Sequence, residues 1–204
     1  PELMVQGVLD ADLMTPLFDR ATVVAVGPGL GQSEWSKTLF KKVMDSGLPM
    51  VIDADALNLL AERPSELPNA ILTPHPKEAA RMLGASAVSR DRLEVLRALQ
   101  DRYQSVVVLK GAATLVHDGK RALINQTGAP AMATAGMGDA LTGCIAGLVA
   151  QGLALGQAAA QGVAHHGRAG EWASADLGEV AVLASDVIAR LGRSFRGDAY
   201  APFP

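Results

Sequence analysis

Four short apolar runs, each followed by a segment of glycine, proline or polar residues, constrain the fold of this chain more than any other feature of its sequence. They are rich in valine, isoleucine and leucine, lack a polar alternation, and cover residues 22–26, 49–52, 70–73 and 105–109. Continuous apolar runs of this length are typical of parallel strands that helices cover on both faces. Because ligands gather at the carboxyl edge of such a sheet, the segments after the runs are the first places to look for a functional site.

The composition fits one domain and excludes several classes of function. The chain has 204 residues, 49% of them hydrophobic, and a formal net charge of -3. This balance and the 4% aromatic content do not favour nucleic acid or an anionic membrane as partner. The single cysteine, Cys144, lies in an apolar run, so we expect a small core residue and a reducing compartment. No apolar run is long enough to span a bilayer and no secretion signal is present, so we expect a cytoplasmic protein.

Residues 125–143 form the stretch best suited to hold an anion. Within it, Gly136-Met137-Gly138-Asp139 stands directly before an apolar helical run. Backbone amides at the start of a helix attract anions, and glycines let a phosphate approach those amides. Asp139 would repel a phosphate unless a cation or a proton transfer involved it, which favours chemistry here. The alternative is that Asp139 only caps the helix and that the glycines allow close helix packing.

The first apolar run leads into Gly27-Pro28-Gly29-Leu30-Gly31, followed by Ser33 and a predicted helix through Met44. The turn matches neither the dinucleotide fingerprint nor the P-loop, and it lacks the lysine of the latter. We interpret it as a loop that approaches a ligand. A tight turn from strand to helix without a ligand is the alternative.

The second run ends at residues 53–58, which contain two carboxylates and an amide. A strand end fixes such side chains well for polar work. Asp55 suits the N-cap of a helix through Ala61, so we favour that structural role for it. Asp53 is the stronger functional candidate.

The third run ends in Pro74-His75-Pro76-Lys77-Glu78, and the fourth ends at Lys110. Two prolines restrict the backbone of His75 and fix the direction of its ring, and Pro76 suits the first turn of a helix. Lys110 can reach a phosphate while its stem packs on apolar surface. The alternatives are a histidine and a lysine that are merely solvated.

The remaining patterns predict secondary structure and no metal site. Adjacent His165 and His166 on one helix are a poor chelating pair, so we assign them no metal. A turn at residues 118–120 predicts a hairpin over 115–124. The tail after residue 197 is expected to be loosely ordered. Amphipathic or alanine-rich patterns predict helices over residues 91–102, 157–175 and 179–191.

Taken in order, five strand-end motifs resemble those of the ADP/ATP-dependent NAD(P)HX dehydratase family, a carboxy-terminal domain of bifunctional repair enzymes within the ribokinase-like superfamily. The resemblance implies an α/β, three-layer ribokinase-like fold, in which helices cover both faces of a mostly parallel central sheet. It also implies that residues 1–204 are one dehydratase domain whose family counterpart begins upstream of Pro1. Loss of that upstream part would leave a raw sheet edge, which is an aggregation hazard. The motifs are residues 27–31, 53–58, 73–78, 110–111 and 135–139.

The resemblance further implies a reaction and a set of site residues. Family members restore NADH and NADPH from their hydrated forms and consume ADP or ATP, with Mg²⁺ expected alongside the nucleotide. Relatives form homo-tetramers, and an epimerase domain can be fused to the dehydratase in the full-length protein. The implied nucleotide-binding residues are Lys110, Gly111, Ala112, Ala113, Thr114, Gly136 and Gly138. The implied substrate-binding residues are Gly29, Gly31, Asp53, Asn58, His75, Glu78 and Asp139.

A mechanism for this reaction follows from leaving-group chemistry. Hydroxide leaves poorly, whereas a phosphorylated ring hydroxyl leaves readily, so an anion site of the kinase type can serve an elimination. We expect Asp139 to deprotonate the substrate hydroxyl and the amides of residues 136–138 to stabilise the transferring phosphoryl group. Ala129 and Ala131 depart from the family pattern beside this anion site, replacing an asparagine and a glycine.

Two other functions compete with this interpretation. A small-molecule kinase of the same superfamily, acting on a vitamin-precursor alcohol, shares the terminal glycine-rich motif. The segments 53–58 and 73–78 favour the dehydratase over such a kinase. A catalytically silent nucleotide-binding module is the second alternative.

Overall fold

The computed structural model describes residues 3–86 and 89–196, and its centre is a six-stranded sheet in the order β1-β2-β3-β4-β5-β6. Strands β1 to β4 run parallel to one another. Strand β5 pairs antiparallel with β4, and β6 pairs antiparallel with β5. The four apolar runs and the hairpin predicted from the sequence are therefore confirmed as strands. The strands are β1 Val24–Val26, β2 Met50–Ile52, β3 Ala70–Leu72, β4 Val106–Leu109, β5 Leu115–His117 and β6 Ala122–Ile124.

Helices connect the strands and complete the domain. Two further turns of 3-10 helix cover Ala11–Met14 and Pro130–Met132. The α-helices are α1 Thr15–Phe18, α2 Glu34–Asp45, α3 Ala54–Glu62, α4 Pro76–Met82, α5 Arg92–Tyr103, α6 Met137–Ala150, α7 Leu155–Leu177 and α8 Ala184–Phe195.

The side chains of each central strand alternate between two separate apolar layers. In β2, Met50 and Ile52 pack with helices α2 to α5, whereas Val51 packs with α6 and α7. Ile71 in β3 and Val108 in β4 join Val51 in the second layer. Because both layers are buried, the strands need apolar residues at every position, which explains the continuous runs in the sequence. The predicted three-layer α/β architecture is confirmed.

Local capping explains where several helices begin. The Ser33 hydroxyl accepts a hydrogen bond from the Ser36 amide at 3.2 Å, and the Asp91 carboxylate accepts from the amides of Leu93 and Glu94. These contacts satisfy backbone donors that lack a partner in the first helical turn.

Two details of the sequence prediction were wrong. Asp53, not Asp55, occupies the N-cap position of α3, and the Asp55 carboxylate instead accepts a hydrogen bond from the Gly31 amide at 2.8 Å. The last helix starts five residues later than predicted from residue 179, because the Asp186 carboxylate caps the Leu183 amide at 2.8 Å. The predicted loose tail lies outside the described residues.

Among the described residues, none of the helices combines the length and the apolar character that crossing a bilayer requires.

Candidate functional site

Among the described residues, a cavity with a volume of about 920 Å³ lies at the carboxyl end of β4. Its walls come from the segment after β4, the segment that joins β6 to α6, the first turns of α6 and one face of α7. Of the predicted site residues, those that line the cavity are His75, Lys110, Gly111, Ala112, Ala113, Thr114 and Gly138. The structure thus brings residues that follow two different strands together with the start of a helix.

A buried ion pair lies beside this cavity. The Lys110 ammonium donates a hydrogen bond to Oδ1 of Asp53 at 2.6 Å, and the Thr142 hydroxyl donates to Oδ2 at 2.9 Å. Asp53 is 1% exposed, so its carboxylate depends on these two donors for the hydrogen bonds that water would otherwise supply. Asp53 follows β2, Lys110 follows β4, and Thr142 belongs to α6.

The start of α6 has the properties of an anion site. Gly136 occupies its N-cap position with a φ of 83°, a conformation that glycine adopts without strain. Among the described residues no side chain caps this helix, which leaves its first amides available. A Cβ on Gly138 would lie 3.3 Å from the Lys110 ammonium nitrogen. The free amides and the lysine therefore present positive charge at one place.

Asp139 is the third residue of α6 and is exposed. It does not cap the helix, so the alternative of a purely structural cap is wrong. Its carboxylate accepts no hydrogen bond from any residue that the structure describes, and it is not among the residues that line the cavity. Gly138, the residue before it, does line the cavity. The carboxylate therefore belongs to the rim of the site, next to the positive start of α6.

His75 lines the cavity and also caps α4. Its Nδ1 accepts hydrogen bonds from the amides of Lys77 and Glu78, at 3.1 and 3.3 Å. In return the Glu78 carboxylate accepts from the His75 amide at 2.7 Å, and a second Glu78 oxygen lies 3.5 Å from Nε2. Since Nδ1 is an acceptor here, the neutral ring carries its proton on Nε2. Glu78 thus fixes the orientation of a hydrogen-bond donor that the cavity can use.

The remaining predicted substrate residues are not in the cavity wall. A Cβ on Gly27 would lie 1.7 Å from the Asp53 carbonyl oxygen, so this glycine permits a close approach of two backbones. The Gly31 amide is bound to Asp55, and Gly29 lies in the same turn. Asn58 accepts a hydrogen bond from Arg81. Gly31 and Asn58 therefore form hydrogen bonds within the protein, outside the cavity wall.

Three further side chains, which the sequence pattern does not predict, hold the cavity wall in place through hydrogen bonds. The Arg92 guanidinium donates to the carbonyl oxygens of Leu109 and Ala112, which holds the segment after β4. Glu171 accepts from the Gly128 amide at 3.0 Å and so ties the segment before α6 to α7. Thr142 binds Asp53, as described above. The position of Thr142, one helical turn after Asp139, could have indicated a role at the site. The contacts of Arg92 and Glu171 join residues far apart in the sequence, so no local pattern predicts them.

His166 is the one further titratable residue in the cavity wall among the described residues. Burial lowers its pKa to about 4, and the Met137 backbone beside the ring opposes this only in part. The neighbouring His165 also has a lowered pKa because of burial. Burial raises the pKa of the Cys144 thiol to about 11, so this thiol stays protonated.

Within the described ranges, no group of three or more His, Cys, Asp or Glu side chains is placed to hold a metal ion. Mg²⁺ in nucleotide sites keeps several waters and binds one or two carboxylates together with substrate phosphates.

Comparison with known proteins agrees with the geometry. A family model described as NAD(P)H-hydrate dehydratase matches residues 1–193. The bifunctional NAD(P)H-hydrate repair enzyme Nnr of Coxiella burnetii is 51% identical over 194 residues, which are 94% of this chain and 40% of that protein. The chain thus spans well under half the length of this curated relative.

Two solved structures show the same fold. The ADP/ATP-dependent NAD(P)H-hydrate dehydratase of Bacillus subtilis, co-crystallised with ATP/Mg²⁺ and soaked with CoA, has a TM-score of 0.77 and 31% identity, covering 86% of this chain and 66% of that chain. A ribokinase-like superfamily protein of Enterococcus faecalis has a TM-score of 0.78 and 26% identity, covering 94% and 68%. The predicted ribokinase-like fold is confirmed.

Proposed function

The chain belongs to the NAD(P)H-hydrate dehydratase family, and on this premise we propose that it catalyses the ADP- or ATP-dependent dehydration of hydrated NADH and NADPH in the S form. The observation that carries the proposal is the single cavity lined by His75, the segment from Lys110 to Thr114, and Gly138. A volume of about 920 Å³ lies within the range of clefts that enclose small ligands.

In this proposal the phosphates of the nucleotide bind at the start of α6. The uncapped amides of this helix, the absence of a Cβ at Gly138 and the adjacent Lys110 ammonium all favour a phosphate there. The segment from Gly111 to Thr114 lines the same cavity and supplies further backbone contacts. Mg²⁺, bound to the phosphates, would neutralise part of their charge.

In this proposal the hydrated nicotinamide ring binds between His75 and Asp139. Asp139 accepts the proton of the ring hydroxyl as the oxygen attacks the terminal phosphoryl group, and the nucleotide leaves one phosphate shorter. His75, whose Nε2 carries a proton in the neutral ring, donates a hydrogen bond to the substrate.

The second step restores the ring. The C–O bond to the phosphate breaks, the ring nitrogen's lone pair supports the departure, and a proton leaves the adjacent carbon to give the double bond. The sum is one hydrated cofactor and one ATP converted to the dihydropyridine, ADP, phosphate and a proton. With ADP as co-substrate the nucleotide product is AMP.

The test is a coupled absorbance assay. The protein is mixed with the S epimer of hydrated NADH, Mg²⁺ and either ADP or ATP, and the NADH absorbance band is followed. We expect the band to return only when a nucleotide is present, with one phosphate released for each NADH formed. A folded protein that binds ADP but restores no NADH with either nucleotide would contradict the proposal. A small-molecule kinase gives that negative result, so the assay also separates the two activities.

A further inference from the structure

We propose that Asp53 is a positioning residue that holds the Lys110 ammonium beneath the first turn of α6, and that it acts on a bound nucleotide only through this lysine. The inference rests on the proposed function, in which Lys110 contacts the nucleotide. It differs from the role implied by family resemblance, in which Asp53 touches the hydrated cofactor itself.

The burial of Asp53 argues against direct contact with a ligand. Its side chain is 1% exposed, and each carboxylate oxygen already accepts a hydrogen bond, one from Lys110 and one from Thr142. Because the side chain is buried, a ligand could reach this carboxylate only if the groups packed around it moved. Removing a hydrogen-bond donor from a buried carboxylate is costly, so the arrangement favours a permanent internal contact.

Asp53 joins three elements that surround the anion site. It is separated by 57 residues from Lys110 and by 89 residues from Thr142. Lys110 follows the end of β4, and Thr142 lies in the second turn of α6. A single carboxylate thus sets the distance between the strand end that carries the lysine and the helix whose amides face the phosphate.

Gly138 shows how closely the lysine lies under the helix. A Cβ at this position would lie 3.3 Å from the Lys110 nitrogen and 3.7 Å from Oδ2 of Asp53. The ammonium therefore packs directly against the backbone of α6, where the helix dipole is positive. The positive charge of the ammonium is unfavourable next to the positive end of the helix dipole. The negative charge of the Asp53 carboxylate offsets this repulsion.

The consequence is a lysine that is ordered before a ligand binds. Its side chain is 18% exposed and lines the cavity, and an ammonium has three N–H groups, of which Asp53 takes one. Among the described residues no other acceptor binds this ammonium, so the other two N–H groups remain for phosphate oxygens. A flexible four-carbon side chain that is already fixed loses less entropy on binding, which strengthens nucleotide affinity.

The experiment measures ADP affinity by calorimetry in a double-mutant cycle of Asp53→Asn and Lys110→Met. We expect Asp53→Asn to weaken ADP binding about tenfold when Lys110 is present. We expect it to have little further effect when position 110 is methionine, because the residue through which Asp53 acts is then gone. Equal losses in the two backgrounds would mean a general structural role and would overturn the proposal.

Two more variants keep the test decisive. Asp55→Asn is the matched control, because Asp55 is also a carboxylate on the same segment but binds the Gly31 amide; ADP affinity should stay at the wild-type value. If Asp53→Asn fails to fold, Thr142→Val removes one of the two hydrogen bonds and leaves the ion pair. We then expect a loss of about threefold with Lys110 present and none with methionine at 110, and equal losses would again overturn the inference.

The two levels of failure are distinguishable. A folded wild-type protein that binds neither ADP nor ATP overturns the proposed function and this inference together. Wild-type binding of ADP combined with unchanged affinity in Asp53→Asn overturns the inference alone.

Discussion

The two carboxylates at the anion site, Asp53 and Asp139, lie in opposite environments. Asp53 is buried and bound to Lys110 and Thr142, whereas Asp139 is exposed and accepts no hydrogen bond from the described residues. A general base must be free to accept a proton from the substrate. Asp139 meets this condition and Asp53 does not, which is why we propose proton transfer for Asp139 and positioning for Asp53.

Replacing Asp139 by asparagine tests the proposed base. The amide keeps the size of the side chain but cannot take the hydroxyl proton, so we expect kcat to fall by about 100-fold to 10,000-fold. Because the side chain is exposed and caps nothing, the melting temperature should hardly change. NADH formation from the hydrated cofactor gives kcat, and near-normal turnover of this variant would rule out Asp139 as the base.

The lowered pKa of His166 predicts that the folded protein loses stability in acid. Its pKa is lowered from its ordinary value of 6.5 to about 4, so the unfolded chain takes up a proton at a higher pH than the folded protein. The free energy of unfolding therefore falls as the pH drops from 6.5 towards 4. The contribution is on the order of 3 kcal/mol when the full shift is expressed. His165, whose pKa burial also lowers, adds to the fall in the same direction.

Urea denaturation at a series of pH values measures this effect. We expect the slope of unfolding free energy against pH between 7 and 5 to be shallower for His166→Gln than for the wild type, since glutamine does not titrate. Identical slopes would show that His166 is not the source of the acid sensitivity.

At the scale of elements, two glycines of α7 allow the segment between β6 and α6 to pack closely against this helix. A Cβ on Gly167 would lie 2.2 Å from the Thr127 hydroxyl oxygen, and a Cβ on Gly170 would lie 2.2 Å from the Met132 sulfur. Both contacts belong to the segment between β6 and α6, whose Gly128 amide Glu171 also holds. The segment that lines the cavity therefore rests directly on the glycine face of α7.

Gly167→Ala tests this packing. The added methyl group must displace Thr127, including its backbone, so we expect a destabilisation of about 1–3 kcal/mol. ADP affinity should fall as well, because the displaced segment lines the cavity. Gly143→Ala in α6 is the matched control: apart from its chain neighbours and the backbone of its own helix, no atom of the described residues lies within 4 Å of the added Cβ, so this variant should be neutral or gain up to about 1 kcal/mol. Equal stability of the two variants in urea denaturation would contradict the packing argument.

Most of the elements were predictable because each depends on local sequence. The continuous apolar runs gave the four parallel strands, and Ser33 and Asp91 marked two helix starts. One error, the start of the last helix, concerns the local contact between Asp186 and the Leu183 amide, and the other concerns a contact between distant residues. Nothing near Asp55 in the sequence shows that the Gly31 amide binds it, and nothing near Gly27 shows that the Asp53 carbonyl fills the space of its Cβ.

At the scale of the whole molecule, the candidate site was predictable as a set of strand ends but not as a cavity. The parallel order of β1 to β4 places Asp53, His75 and Lys110 on one edge of the sheet, as the sequence indicated. The closing walls come from α7 and from the segment before α6, whose positions depend on helix packing across the domain. The sequence pattern indicates which face of a helix is apolar, but it does not indicate which segment of the chain packs against that face.

Because the cavity wall combines the segments after β3 and β4 with α6 and α7, a bound nucleotide should stabilise the protein against unfolding. At about 100 times its Kd, ADP adds about 2.7 kcal/mol to the free energy of unfolding. For a domain of about 200 residues this corresponds to a rise in melting temperature of roughly 5–10 °C. Thermal denaturation with and without ADP measures the rise, and Lys110→Met should show a clearly smaller one at the same ADP concentration. A wild-type protein whose melting temperature does not change with ADP would show that nucleotide does not bridge these segments, since any ligand that prefers the folded state must raise it.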